Sequence, residues 1–315
     1  MKNSMLALFL IGQANAIVNP LAYYTPLTSI TNTAQIYALS TVNNVIPAPI
    51  VSIPSQPEIT SIDNSALTTP LVTAITNSSI GQTGQIVTQE GCYQISSTIN
   101  YTGSGNANCA LRISKSNITL DLNGQTICYT GNCSRKVHGI SLAPGVTNVT
   151  IQNGTICNFS GSGIAGLETG PKPRNHITLH NLKITSCCNG ITISQTNNLT
   201  IVNCATINNR CSDQMTCGIQ VDGSTGILIQ ECISQNNNSP NGTCYGFFLS
   251  SCTCASLYNC ITSGNQGLTE SAGIYFLQMN NNNYIESCTS NGNSSLNGSS
   301  HGYLLKNCFK TFITN

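Results

Sequence analysis

The sequence predicts an all-β fold, a right-handed parallel β-helix with coils of about 22–28 residues. Three observations predict it. A cysteine recurs at a constant step, a Gly-led apolar strand recurs in phase with it, and clusters of Asn, Gly and Ser separate the apolar stretches.

In the cysteine column, Leu199-Thr-Ile-Val-Asn-Cys204 aligns with Ile227-Leu-Ile-Gln-Glu-Cys232, Ala255-Ser-Leu-Tyr-Asn-Cys260 and Asn283-Tyr-Ile-Glu-Ser-Cys288, each cysteine 28 residues after the last. In the glycine column, Gly190-Ile-Thr-Ile, Gly218-Ile-Gln-Val, Gly246-Phe-Phe-Leu, Gly273-Ile-Tyr-Phe and Gly302-Tyr-Leu-Leu follow at intervals of 28, 28, 27 and 29. A fixed period of this size marks a solenoid whose coils bury their apolar faces on one another. Within the strands Ile219 and Val221 alternate with Gln220 and Asp222, which sends one row inward and the other outward. Stretches such as Asn236-Asn-Asn-Ser-Pro240 carry turn chemistry. Less regular copies begin at Ile118, Val149 and Ile177, and the step from Ile177 to Leu199 is only 22 residues, the minimal coil.

The chain begins with Lys2, an apolar stretch from Met5 to Ile11, and Ala14-Asn15-Ala16. That is the layout of a secretory signal with an A-x-A cleavage site, so residues 1–16 are set apart and a secreted or cell-surface location is expected. No stretch reaches the roughly 20 apolar residues that span a bilayer. Residues 17–80, rich in Thr, Ala and Pro, read as a leader or linker, and residues 81–315 as the β-helix. The next ladder cysteine falls due at position 316, so the sequence also predicts a coil cut short at the C-terminus.

Charged residues are only 7% of the chain and the net charge is +1, so there is no basic field to hold the phosphates of a nucleic acid. Seventeen cysteines suit an oxidising compartment. The in-register column Cys204, Cys232, Cys260 and Cys288 is expected to pack as a buried structural ladder, with disulfides as the alternative. Cys128 with Cys133, and Cys211 with Cys217, are expected as loop disulfides. Cys252-Thr-Cys254 is the one metal-type spacing, and no metal is expected there.

Gly91-Cys-Tyr-Gln-Ile-Ser followed by Ile118-Thr-Leu-Asp-Leu-Asn-Gly-Gln-Thr-Ile127 resembles the opening of right-handed β-helix proteins of the pectate-lyase-like superfamily, and the later coils resemble their turns. The resemblance covers roughly residues 86–315. It implies a fold shared by lyases, glycoside hydrolases, tailspikes and adhesins.

A lyase of this fold needs a base and carboxylates for Ca²⁺ or substrate, and a hydrolase needs converging carboxylates. The acids here are scattered. The outward positions of the Gly-led strand read Ser141, Thr192, Gln220, Phe248, Tyr275 and Leu304, none acidic. Asp222, Asp213 and Arg210 form the best available catalytic trio, against a reading as solvated turn residues. His138-Gly139 resembles the His-Gly pair of polygalacturonase-type hydrolases, without their paired aspartates. The segment Glu168-Thr-Gly-Pro-Lys-Pro-Arg-Asn-His176 reads as a surface loop or an anion-binding one. The expected function is adhesion, or binding of a polysaccharide or host-surface glycan, without catalysis or cofactor. The alternative is a polysaccharide lyase or glycoside hydrolase, with Ca²⁺ under the lyase reading. A homo-trimer is a further expectation, common among spikes of this architecture.

Overall fold

The computed structural model describes residues 71–80, 84–103, 108–132, 135–212 and 215–314. The expected signal at 1–16 and the expected leader as far as residue 70 lie outside them.

One regular coil shows how the sequence becomes structure. Met215–Asp222 runs into Thr225–Gln230, then Ile233–Gln235 and the short Asn238–Ser239, and the chain re-enters at Thr243–Ser250 one level up. Each strand pairs in parallel with its equivalent: Ile219 lies beside Phe247, Ile229 beside Leu257 and Ser234 beside Thr262. Repetition builds a sixteen-stranded first sheet covering two faces, a nine-stranded second sheet, and a third of three short strands. The molecule is a right-handed parallel β-helix. The irregular copies fall into the same frame, because Ile118 pairs with Val149, Val149 with Ile177 and Ile177 with Leu199.

The solenoid begins ahead of the boundary expected at residue 81. Val72–Ile75 pairs with the strand Gly91–Ile95, and Ile75 and Ile80 are buried under the first coil. An apolar first turn is covered by this segment, which offsets the exposure an uncovered solenoid end would carry.

Inward residues form continuous columns, such as Leu199, Ile227, Ala255 and Ile201, Ile229, Leu257, Ile285 from the first sheet, all at most 2% exposed. Each large side chain so buried contributes about 1.5–3 kcal/mol. The corners fall on residues with left-handed backbone: Asn203, Glu231, Asn259 and Ser287 all have φ between 51 and 53°. Asn tolerates this region better than most residues, which is one reason the turns are rich in it.

At the next corner the asparagines do more. Asn209 Nδ2 donates to Asn237 Oδ1 at 2.9 Å, Asn237 Nδ2 to Asn265 Oδ1 at 2.8 Å, and Asn265 Nδ2 to Asn293 Oδ1 at 2.8 Å. The backbone N–H of Asn209, Asn237 and Asn265 donates to the same oxygens. This ladder satisfies polar backbone that the turn would otherwise bury unpaired.

Cys204, Cys232, Cys260 and Cys288 stack at the opposite end of the strands, buried and unbridged. Each thiol donates to a carbonyl two residues back and to one in the preceding coil; for Cys232 these are Gln230 at 3.2 Å and Ile201 at 3.5 Å. The loop disulfide expected between Cys211 and Cys217 is replaced by Cys188–Cys211. Register explains the change. Cys188 and Cys211 occupy one corner of successive coils, with Cα atoms 4.3 Å apart, whereas Cys217 stands within its strand beside Tyr245, buried and free. Cys133 lies outside the described residues.

The glycine of the Gly-led strand is required by close approach. A Cβ on Gly218 would lie 2.0 Å from Ser234 Oγ and 2.7 Å from the Gly246 carbonyl.

Candidate functional site

Two outward columns line the outer surface of the second sheet. One runs Cys109, His138, Ser162, Asn189, Cys217, Tyr245, Ala272, and the other Arg112, Ser141, Ala165, Thr192, Gln220, Phe248, Tyr275, Leu304. The two ends of this face differ in character.

Towards the N-terminus the face opens into a cavity of about 350 Å³. Arg112 and Glu168 form a bidentate ion pair at its edge, with Nη2 2.6 Å from Oε2 and Nη1 on Oε1. The guanidinium holds the Glu168 carboxyl below the usual carboxylate range, and the carboxylate raises Arg112. Gln85 and Asn108 add amide groups, while Ile86 and Leu167 give it apolar walls, 58% and 43% exposed.

His138 lines the cavity with a defined tautomer. Its Nδ1 accepts the Ser162 N–H at 2.9 Å, so in the neutral ring the proton sits on Nε2. Burial lowers its pKa, and the imidazole is neutral at pH 7.

The loop that delivers Glu168 is held from inside the protein. Arg174, expected on a charged surface loop, is 1% exposed. Its guanidinium donates to Leu142 O at 2.9 Å, Glu168 O at 2.9 Å and Ser194 O at 2.8 Å. These three carbonyls come from three successive coils, so one cation ties the levels together and fixes the backbone beneath Glu168. Burial lowers the pKa of Arg174.

Towards the C-terminus the face is filled. Tyr245, Phe248 and Tyr275 pack with ring centroids 5.1–5.3 Å apart and are only 5–9% exposed. Tyr245 donates to Glu270 Oε2 at 2.7 Å; burial, with this bond to a carboxylate, drives the phenol pKa up. The cluster is a small second core beneath the outer surface.

Two members of the expected trio, Asp222 and Arg210, lie towards opposite ends of one strand. Asp222 ends the strand Met215–Asp222, where it accepts Gln220 Nε2 at 2.7 Å and burial raises its pKa. Arg210 lies before the other end of that strand, bridged to Asn238. Asp213 lies outside the described residues. Cys252 is buried and Cys254 exposed, so the two thiols of that spacing do not share a site. Among the described residues no three His, Cys, Asp or Glu side chains converge as metal ligands.

His138 and Glu168 were visible in the sequence separately; their meeting, and the role of Arg112, were not. Ser141 had been placed outward by the repeat, and Arg112 stands beside it one coil earlier. Extending the column one irregular coil back would have reached it.

No family model and no curated protein matches the sequence. Among solved structures, the chain is similar to pectate lyase Pel9A, at 10% identity over 74% of this chain and 79% of that one, with a TM-score of 0.45. It is similar to the mannuronan C-5 epimerase AlgE4 A-module of Azotobacter vinelandii, at 12% identity over 76% and 96% of the two chains and a TM-score of 0.36. It is also similar to the surface protein and adhesin PfbA of Streptococcus pneumoniae, at 9% identity over 77% and 99%, with a TM-score of 0.21. Among the described residues, no helix is long and apolar enough to cross a membrane.

Proposed function

We propose that this is an extracellular or surface-displayed β-helix that binds a glycan through the outer face of its second sheet, without turning it over. The cavity at Arg112, His138 and Glu168 carries this reading. A sugar ring combines hydroxyl groups with an apolar C–H face. The cavity meets it with guanidinium and Nε2–H donors, carboxylate and amide acceptors, and the walls of Ile86 and Leu167. Its volume has room for one or two sugar units. A binding site of this kind serves adhesion to a polysaccharide or a host-surface glycan, and the signal-like N-terminus supports export.

Absence of turnover is supported by the chemistry within reach. Glycoside hydrolysis generally needs two carboxyl groups flanking the scissile bond. Among the described residues, Glu168 is the one carboxylate lining the cavity, and it is committed to Arg112. One observation favours an enzyme as the second reading: the neutral His138 ring keeps its proton on Nε2, where it can donate a hydrogen bond to an oxygen that gains negative charge during a reaction.

Binding to a glycan array, run beside assays for reducing ends and unsaturated products on polysaccharides, tests both. Binding lost in Glu168→Gln with no product formed supports the first reading. Product formation lost in His138→Ala makes the protein an enzyme, and neither signal overturns both.

A further inference from the structure

The later segments of the first sheet form another lateral face, which carries two thiols used neither by the cavity nor by the core. Thr126–Tyr129 and Thr147–Cys157 are adjacent parallel strands, and Cys128 and Cys157 are register partners on them. Their preceding neighbours Ile127 and Ile156 are fully buried, so both thiols stand on the outward side, and each is partly exposed. This separates them from the buried ladder at Cys204, where the thiols face carbonyls inside the solenoid.

The two sulfurs are not equivalent. Asn158 Nδ2 donates to Cys128 Sγ at 3.2 Å. Burial, followed by the facing Cys128 thiol, pushes Cys157 up to about 12.

We propose that Cys128 and Cys157 are an oxidation site that closes to a second inter-coil disulfide when the protein meets a small-molecule disulfide. Adjacent strands hold register partners about 4.8 Å apart, within the Cα separation a bridge requires. Cys188–Cys211 shows that successive coils of this solenoid accept such a bond. In the first step the Cys128 thiolate attacks the small disulfide, forming a mixed disulfide and releasing one thiolate. In the second, Cys157 gives up its proton and attacks Cys128 Sγ, expelling the second small thiolate. Two protein thiols are oxidised and one small disulfide is reduced to two thiols. The closed ring contains His138–Leu142, the strand that supplies His138 to the cavity.

The test uses the folded full-length chain, oxidised glutathione, alkylation of remaining thiols in denaturant, and peptide mapping without reduction. The expected result is loss of two alkylatable thiols and a peptide pair joined through Cys128 and Cys157. Cys157→Ser is expected to stop at a glutathione adduct on Cys128. Both cysteines still alkylated after oxidation, or Cys128 joined to Cys133, overturns the proposal. Mapping of the wild-type chain decides it even where a variant fails to fold.

Discussion

Arg112 and Glu168 are 56 residues apart in the chain and two coils apart along the axis, yet they meet as a bidentate pair over one cavity. The pair is partly exposed, at 29% and 48%, so its net contribution to stability is at most about 1 kcal/mol. Its importance lies in holding donors and acceptors at fixed positions. Glu168→Gln is therefore expected to weaken glycan binding by about tenfold or more, the loss of about 1.4 kcal/mol. The melting temperature should move by no more than about 4 °C. Array binding and a circular-dichroism melt on the same preparation separate the two effects.

Arg174 should behave in the opposite way. Replacing it with Met removes a buried cation and leaves the carbonyls of Leu142, Glu168 and Ser194 without that donor. Hydrogen bonds to charged groups are worth about 1.5–3 kcal/mol each, so a loss of several kcal/mol is expected. Urea unfolding measures it, and faster proteolysis between residues 167 and 173 is the local signature. A variant as stable as the wild type would mean that the three coils do not depend on the clamp.

His138 imposes a pH dependence whose sign follows from its lowered pKa. The unfolded chain binds the proton more readily than the folded one, so stability rises with pH through this range. The contribution is complete above about pH 6.5, the ordinary imidazole value, and is lost as pH falls through the depressed folded value. His138→Asn retains an acceptor for the Ser162 N–H without titrating. Between pH 8 and pH 5, the wild-type melting temperature should drop more steeply than that of the variant. Parallel curves would show that His138 is not the group responsible.

Gly218→Ala places a methyl group 2.0 Å from Ser234 Oγ and should cost about 1–3 kcal/mol as an overpacked site. Adding Ser234→Gly removes that neighbour and leaves Thr206 Oγ1 at 2.6 Å and the Gly246 carbonyl at 2.7 Å, so the rescue is expected to be partial. A double-mutant cycle in urea measures the coupling.

The fold was legible because its cause is periodic. The Ile and Val columns, the Gly218-type strand and the Cys204 ladder all repeat within a residue or so of 28. The asparagine ladder from Asn209 to Asn293 repeats equally well, but Asn is so common in the turns that its inward members do not stand out. The cavity was not legible, since it belongs to coils whose steps vary. Ile118 to Val149 is 31 residues and Ile177 to Leu199 is 22, which hides which outward residues are neighbours. Arg174 was misread for a related reason. Its segment is polar and rich in Pro, and only the stacked carbonyls of three coils make a buried guanidinium favourable there.

The constant 28-residue step of the later coils, seen in the pairing of Ile219 with Phe247 and Ile229 with Leu257, makes that half of the protein divisible into equivalent coils. Excising Gly218 to Tyr245 would join like to like at Gly246, shortening the rod by one rung of about 4.8 Å. The chemistry near Arg112 would be untouched. Solenoid length and the cavity are thus set by separate stretches of the chain, so whole-coil duplication or loss would change the first without the second.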